Sequence, residues 1–455
     1  MSESDRRSAD EPGGIAIRRG GRAAVLRLLG AALGFAAQIV IARTLGLTQY
    51  GQFIYAVAII NLSVMVAKFG LDTTQLKLVS VYVNEKADSR LRGILRFSDT
   101  VVATAGLAVG VIAALVLAWT GGWPASEQPL GMPLLAVAVP IMALTALRSA
   151  SLLGIGRVIR SNAPELLIRP LILMTGCVVA SQYLSAVQAQ HGLVIFLLAV
   201  STSLVLSTLW QRSDDDIARA RSTAPEYETK KWMDTSTTFL VSGVAFFALT
   251  QADILIVGAL LGADQVGGYA AAARSAIYVQ FLLVAVQRAV APMLSKHYSS
   301  GDQPGTQRIL DVVAAVSSIS GLLAGIVVIV FAEPIMGLFG AEFRQAGILL
   351  QILAGAQLLR ALTGATNTTM NMTGHHRMAL ALQIVFAILG LILVTVAANF
   401  GAVYVALATA VVIVSWNITI CVFLWQATGL MPWLRLASVP ALLNALRLGT
   451  LRGSR

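Results

Sequence analysis

The chain has 455 residues, of which 57% are hydrophobic and only 12% are charged, and its mean hydropathy is +0.77. Since about a quarter of the residues in a soluble domain are charged, this composition excludes an ordinary soluble globular protein. The net charge of +11 would suit nucleic acid, but in so apolar a chain the basic residues are better explained as markers of cytoplasmic loops, and no nucleic-acid partner is expected.

Long apolar runs, such as Thr100–Trp119 and Leu380–Ala398, have the length at which a helix crosses a bilayer. The predicted fold class is therefore an all-α membrane protein with twelve transmembrane helices. In chain order, the spans are predicted to begin near Ala23, Gln52, Thr100, Leu134, Leu166, Gly192, Phe239, Tyr269, Val312, Leu349, Ala379 and Val403. They divide the chain into a cytoplasmic polar tail (1–22), an N-terminal six-helix lobe (23–210), a cytoplasmic linker (211–233), a C-terminal six-helix lobe (234–427) and a cytoplasmic or interfacial tail (428–455).

The positions of lysine and arginine test this topology, because cytoplasmic loops are enriched in both. Outside the spans, nearly all of them fall in the two tails or in the even-numbered gaps between spans. The exceptions are Arg43 and Arg344. We therefore expect a multi-pass protein with both termini in the cytoplasm.

A short motif occurs twice, as LGLTQYGQF at Leu45–Phe53 and as LGADQVGGY at Leu261–Tyr269. Each copy follows the first span of a predicted lobe and precedes the second. Because six spans separate the copies, both lobes would enter the membrane in the same direction, as in a parallel repeat. Chance similarity of two glycine-containing turns is the alternative, but the agreement with the span count favours duplication.

Charged residues inside the spans are candidates for function, because a charge in hydrocarbon is unfavourable by at least about 2.5–3.5 kcal/mol. In span 8, Arg274 and Arg288 are fourteen residues apart, with Tyr278 between them. On a continuous α-helix this spacing places both arginines on one face. A face that lines a wet interior is favoured over interhelical salt bridges.

Span 10 contains a second polar pattern, in which Arg360, Gly364, Asn367 and Asn371 follow Gln357 at helical spacing. The pattern predicts a polar stripe along a whole helix. A stripe that faces a cavity is favoured over one that holds two helices together by hydrogen bonds.

Three further charged residues leave their roles open. Arg27 in span 1 could line a cavity or extend to the membrane interface. Asp253 in span 7 could pair with an arginine or bind a coupling proton or cation, and Arg148 in span 4 is similarly ambiguous. The spans contain more arginines than acids, which indicates an anionic cargo. Since guanidinium suits phosphate oxygens, a phosphate-bearing lipid is the natural candidate in a membrane.

The sequence gives little support to an enzyme. It contains no G-x-x-x-x-G-K-[ST] phosphate loop, so an ATP-driven pump is not indicated. The predicted outside loops are short and carry few ionisable groups, whereas a membrane glycosyltransferase needs such groups on a sizeable extramembrane segment. We therefore predict no catalytic residues, no metal and no cofactor.

Three segments carry a resemblance to a known family: ARTLGLTQYGQF after span 1, QADILIVGALLGADQVGGYAAAARS over spans 7 and 8, and IMGLFGAEFRQAG before span 10. Over Ala23–Trp425 the chain resembles the O-antigen and exopolysaccharide flippases of the multidrug/oligosaccharidyl-lipid/polysaccharide exporter superfamily. The resemblance implies a V-shaped pair of six-helix lobes around a cationic cavity that works by alternating access.

The same resemblance implies that the protein moves undecaprenyl-diphosphate-linked oligosaccharide repeat units across the bacterial plasma (inner) membrane. It also implies that cavity arginines hold the diphosphate and that Asp253 tunes them or serves ion coupling. Lipid-linked oligosaccharide and membrane lipids are the expected partners, with a polysaccharide polymerase and a chain-length regulator as further candidates. The residues expected at the substrate cavity are Arg27, Arg274, Arg288, Arg360, Gln357, Asn367, Asn371 and Tyr278.

Two alternatives remain open. One is a drug or metabolite antiporter coupled to H⁺ or Na⁺, in which Asp253 would be central. The other is a membrane-embedded glycosyl-transfer enzyme or polymerase, which the short outside loops oppose.

Overall fold

The structure, a computed structural model, describes residues 3–120 and 130–435, without the side chains of residues before Val25, of Thr120 and of several positions between 281 and 292. Within these ranges the regular structure is entirely helical. Ten helices of the described part are long and apolar enough to cross a membrane. The segment Val25–Lys68 contains predicted spans 1 and 2, and each of the other nine helices corresponds to one predicted span. Among these described helices, none corresponds to the eighth predicted span. Residues 436–455 of the predicted tail lie outside the described residues.

The described residues fall into two compact units. Unit 1 comprises the chain up to Leu45 together with Ala56–Gly243. Its helices are α1 (Glu3–Lys68), α2 (Leu71–Asn84), α3 (Asp88–Thr120), α4 (Gly131–Gly154), α5 (Val158–Ala163), α6 (Arg169–Tyr183), α7 (Ala189–Arg212), α8 (Asp215–Ser222) and the first part of α9 (Thr229–Leu261).

Unit 2 comprises Gly46–Tyr55 and the chain from Val244 onward. It therefore includes a piece of α1 that the predicted lobe boundaries assign to the N-terminal lobe. Its other helices are the rest of α9, α10 (Ala263–Ala276), α11 (Phe281–Ser299), α12 (Gln303–Val330), α13 (Ala332–Gly337), α14 (Gly347–Leu362), α15 (Thr366–Met372), α16 (His376–Ala398) and α17 (Ala402–Thr428).

The two copies of the repeated motif share an unusual backbone conformation. Gly46 in the first copy has φ 75° and ψ 173°, and Gly262, the equivalent residue of the second copy, has φ 89° and ψ 172°. Only glycine adopts this region of positive φ without strain. Gly46 therefore interrupts α1, and Gly262 separates α9 from α10. In both places the motif marks the break between two consecutive predicted spans.

The first copy of the motif packs against other residues of unit 2. Thr48 donates a hydrogen bond from its hydroxyl group to the carboxylate of Asp264, which occupies the equivalent position in the second copy. Tyr50 is fully buried and meets Phe343 edge to face, with the ring centroids 5.7 Å apart. Burial of this aromatic ring fixes Gly46–Tyr55 to unit 2.

Glycines of the two copies make the same contact in both directions. A Cβ atom at Gly51 would overlap the carbonyl oxygen of Ala263, and one at the equivalent Gly267 would overlap the carbonyl oxygen of Leu47. Leu47 and Ala263 are themselves equivalent residues of the motif. A contact that equivalent residues exchange reciprocally is the mark of a two-fold relation. This arrangement supports internal duplication over chance similarity.

In unit 1, α3 and α4 pack closely through small residues. A Cβ atom at Gly106 of α3 would lie 2.8 Å from Cα of Pro140, and one at Gly110 would lie 2.6 Å from the carbonyl oxygen of Ala136. Small residues four positions apart let two helix backbones approach closely in a membrane, where apolar surface alone does not drive association. The sequence GLAVG thus explains why these two helices approach each other closely.

The predicted linker is packed along unit 1. Arg157 donates to the buried carboxylate of Asp214 at 2.8 Å, at the start of α8. Further along, the indole of Trp232 is fully buried and donates to the hydroxyl of Tyr82 at 3.1 Å. That hydroxyl donates in turn to the carboxylate of Glu228 at 2.9 Å. The hydrogen bond stabilises the charged carboxylate and so holds the pKa of Glu228 below its usual value. Both ends of the linker are therefore anchored to the helices of unit 1.

The segment after α17, Leu430–Arg435, returns along unit 2, and we call it the C-terminal strap. Three guanidinium nitrogen–oxygen pairs join Arg435 to Asp311, at 2.6, 2.7 and 3.1 Å. Asp311 is only 7% exposed. The side-chain amide of Gln307 donates to the carbonyl of Met431 and accepts from its N–H, both at 2.9 Å. The strap is thus held by a bidentate ion pair and a reciprocal amide pair on α12.

The strap also contacts a break between two helices of unit 2. α14 ends at Leu362, whose carbonyl oxygen accepts from the backbone N–H of Leu434 at 3.1 Å. Gly364 follows with φ 67°, and a Cβ atom there would overlap the carbonyl oxygen of Pro432. The break therefore needs glycine for two reasons, positive φ and close approach of the strap.

Candidate functional site

The polar stripe predicted along span 10 does not lie on one helix, so that prediction is wrong. The break at Gly364 places Arg360 and Gln357 in α14, whereas Asn367 and Asn371 belong to α15. Gln357 is buried, Arg360 and Asn367 are half-buried, and Asn371 is exposed. Helical spacing cannot be counted through a residue at positive φ, so the i, i+3 and i, i+4 pattern of the sequence does not define one face here.

The prediction of one continuous helix from Arg274 to Arg288 is also wrong, whereas the prediction that both arginines share one face stays a prediction. Arg274 lies in the last turn of α10, and a 3₁₀ turn at Ile277–Gln280 separates it from α11. Because a 3₁₀ turn has three residues per turn, it changes the angular relation of the flanking residues. Arg274 is half-buried and interacts electrostatically with Tyr50 and with Tyr278 in the turn. The side chain of Arg288 lies outside the described set.

The remaining two arginines have different surroundings. Arg148 in α4 donates to Asp99 of α3 at 2.7 Å, and both side chains are partly buried. Sequence reasoning missed Asp99 because it lies just before the predicted start of span 3. Arg27 is half-buried in the part of α1 that belongs to unit 1.

Arg360 is the predicted cationic residue with the clearest environment. Its guanidinium carbon lies over the ring of Trp416 on α17, 5.9 Å from the ring centroid, a cation–π arrangement. Among the residues that the structure describes, no carboxylate forms an ion pair with Arg360. Gln357 precedes it by one turn on the same helix face and is 7% exposed. This corner of unit 2 thus contains a positive charge that no described carboxylate neutralises.

Asp253 lies in a second polar cluster of unit 2. The hydroxyl of Tyr269 donates to its carboxylate at 2.7 Å, and Thr409 of α17 lies 3.1 Å from the same hydroxyl. A cavity of about 20 Å³ adjoins Asp253 and Thr409 and extends to Gly390 of α16. A cavity of this size accommodates one water molecule. The cluster can therefore hold a proton on the carboxylate, or one water molecule or small dehydrated cation beside it.

Sequence reasoning missed Tyr269, Thr409 and Trp416. Tyr269 closes the second copy of the repeated motif, so its position in the repeat was an available signal. Thr409 and Trp416 lie inside the apolar run of α17, where a single hydroxyl or indole group carries no periodic pattern. Their roles depend on which helices pack against α17.

Comparison with protein families gives two matches. The model of the polysaccharide biosynthesis protein family matches residues 21–297, more than half of the chain. The MatE family model matches residues 239–396. A relative from Haloferax volcanii, a probable low-salt glycan biosynthesis flippase called Agl15, is 28% identical over 173 residues. That alignment covers 38% of this chain and only 37% of the relative's length.

Solved structures show the same fold. An inward-facing multidrug resistance MATE family transporter of the MOP superfamily matches with a TM-score of 0.68 and 13% identity, covering 89% of this chain and 99% of that one. The lipid II flippase MurJ, in an inward closed conformation, also matches with a TM-score of 0.68, at 14% identity, covering 93% of this chain and 90% of that one. The predicted all-helical membrane fold is confirmed.

Proposed function

Because the chain belongs to the polysaccharide biosynthesis protein family, as its motifs predicted, we propose that it is a flippase for undecaprenyl-diphosphate-linked oligosaccharide repeat units. The protein would act in the bacterial plasma membrane with both termini in the cytoplasm, as the distribution of its basic residues predicts. A polysaccharide polymerase and a chain-length regulator would use the repeat units it delivers. The chain is then a transporter and needs no catalytic residue of its own.

The structural observation that carries the proposal is the environment of Arg360. A cation inside an apolar span is unfavourable unless it is paired or faces a polar space, and such residues are rare and functional in transporters. No described carboxylate pairs with Arg360, whereas Arg148 has Asp99. The missing negative charge would come from the cargo, because guanidinium forms charge-assisted hydrogen bonds with phosphate oxygens.

The other predicted residues complete the proposed cavity. Arg27, Arg274 and Arg288 would share the negative charge of the diphosphate with Arg360. Neutral polar groups would hydrogen-bond the first sugars. This second set consists of Gln357, Asn367, Asn371 and Tyr278. Alternating access would then expose the cavity to one side of the membrane at a time, with binding energy distributed over several arginines.

Replacing Arg360 with alanine tests the proposal. In cells that lack the chromosomal copy, the R360A variant should reduce surface polysaccharide at least about tenfold, because one charge-assisted contact is typically worth about 1.5–3 kcal/mol. Lipid-linked repeat units should accumulate at the same time. Arg377→Ala is the matched control, since Arg377 is exposed at the start of α16. Normal polysaccharide in R360A cells with normal membrane abundance would rule out this role.

A second candidate function rests on the Asp253 cluster. A buried carboxylate that accepts from Tyr269 beside a small cavity suits the binding of a coupling proton or cation, as a drug or metabolite antiporter requires. The two proposals are compatible if the same cluster couples flipping to an ion gradient.

The variant Asp253→Asn separates these roles. We expect it to abolish the dependence of transport on pH or on Na⁺, whichever ion is used, while Asp234→Asn on the same helix has no effect because Asp234 is exposed. Transport in proteoliposomes with imposed ion gradients measures this dependence. An unchanged ion dependence in D253N would show that Asp253 has only a structural role.

A further inference from the structure

Two buried polar atoms near Arg360 lack hydrogen-bond partners. Oε1 of Gln357 and the indole nitrogen Nε1 of Trp416 are fully shielded and make no hydrogen bond within the described part of the chain. The two residues are 7% and 4% exposed. Buried polar atoms in proteins are nearly always hydrogen-bonded, so each unpartnered atom requires an explanation. One such explanation is a bound molecule that supplies the missing hydrogen-bond partner of each atom.

Gln357, Arg360 and Trp416 lie on two helices of unit 2 that pack against each other. Gln357 and Arg360 are neighbours on one face of α14, and Trp416 is on α17, which packs against α14. The guanidinium carbon of Arg360 lies 5.9 Å from the centroid of the Trp416 ring. A guanidinium over a ring face keeps its five N–H donors in its own plane, so they remain available to a ligand.

The chemistry of these groups specifies the ligand. Arg360 and the Trp416 indole N–H are donors, which require acceptor oxygens, and the positive charge favours an anion. Gln357 Oε1 is an acceptor, which requires a donor such as a hydroxyl group. We propose that Gln357, Arg360 and Trp416 form a binding site for an oxyanion that stands next to a sugar hydroxyl. The carboxylate of an acidic sugar and a sugar phosphate both have this chemistry.

This inference rests on the proposed function and deepens it, because it assigns a recognition site for an acidic or phosphorylated sugar of the cargo. Trp416 has two tasks in the site. Its ring positions the guanidinium, and its N–H contacts the anion. Gln357 favours a sugar-borne carboxylate over a simple one such as acetate, because only the former brings a hydroxyl donor.

Fluorine NMR of the full-length protein in nanodiscs, labelled with 5-fluorotryptophan, tests the site directly. The signal missing from Trp416→Phe identifies the Trp416 resonance among the seven tryptophans. Glucuronate, glucose 1-phosphate and glucose are the probes. We expect the two anionic sugars to shift this resonance saturably and neutral glucose to leave it in place. A response to glucuronate alone would assign the site to an acidic sugar, and a response to glucose 1-phosphate alone would assign it to a phosphate.

Substitutions at the other two residues give the matched tests. Arg360→Gln should raise the apparent Kd for the anionic sugar at least about tenfold, because the ligand loses its charged hydrogen-bond donor. Gln357→Glu should also raise the apparent Kd, although the new side chain has nearly the same shape, because its carboxylate would pair with Arg360. Thermal melting confirms that each variant is folded. An equal shift with glucose, no shift with any probe, or an unchanged Kd in folded R360Q would overturn the site.

The outcome for the site is separable from the outcome for transport. If no probe binds but Arg360→Ala still stops export, the flippase proposal stands and this site is wrong. If the probes bind but Arg360→Ala exports normally, the site exists and the role of Arg360 in flipping is wrong.

Discussion

Replacing Gly51 with valine should lower the free energy of unfolding by about 3 kcal/mol or more, since overpacking against rigid neighbours has effects of this size. A Cβ atom there would overlap the carbonyl oxygen of Ala263 and lie 2.9 Å from the backbone nitrogen of Gly267. Both neighbours are backbone atoms, so no side-chain rotation can relieve the overlap. Denaturant titration of the purified protein, followed by tryptophan fluorescence, measures the loss.

Gly355 provides the matched control. It lies inside α14 of the same unit, and apart from its own stretch of helix backbone no atom stands within 4 Å of a Cβ placed there. Gly355→Ala should therefore leave stability unchanged or raise it by up to about 1 kcal/mol, the helix-propensity advantage of alanine. Equal stabilities for the Gly51 and Gly355 variants would contradict the close packing of the two motif copies.

Removing the arginine of the C-terminal strap should have the second large effect. In Arg435→Ala, the carboxylate of Asp311 loses all three of its contacts with the guanidinium group while it remains buried. Breaking a buried ion pair by removing one partner typically lowers stability by about 3–5 kcal/mol. Because Arg435 is partly exposed, we expect a value near the lower limit, about 3 kcal/mol.

A double-mutant cycle separates this ion pair from general damage to the strap. The variant Arg435→Ala with Asp311→Asn should recover part of the loss, because it no longer leaves an unpaired buried charge. Arg308→Ala is the control, since Arg308 is exposed on α12 one turn before Asp311. Strictly additive losses in the cycle would show that the pair contributes nothing specific.

Much of the fold could be predicted because membrane insertion leaves a strong record in the sequence. Apolar runs such as Thr100–Trp119 identified the spans, since lipid tolerates no unpaired backbone. The repeated motif pointed to duplication, and the matching conformations of Gly46 and Gly262 agree with it. The resemblance to the polysaccharide exporters was confirmed by the family match over residues 21–297.

The candidate site was harder to predict because it depends on helix breaks and on contacts between distant segments. A count of helical spacing assumes an unbroken α-helix, so it does not detect the 3₁₀ turn at Tyr278 or the break at Gly364 that separate the predicted polar residues. Trp416 looked like any apolar residue of its span, and only the packing of α17 on α14 places it beneath Arg360. The convergence of the arginines on one cavity stays a prediction.

The segment Gly46–Tyr55 belongs to unit 2, although most of unit 1 follows it in the chain. This has a consequence for a protein expressed as two fragments from a split gene. A fragment that starts after the linker would encode unit 2 without the segment whose Thr48 bonds to Asp264, 216 residues further along the chain. Such a fragment would expose the surface that Tyr50 covers and would be prone to aggregate when made alone. Co-expression with the upstream fragment should rescue it. Complementation between the two separately translated fragments is therefore the simplest genetic assay of the contact between Gly46–Tyr55 and the rest of unit 2.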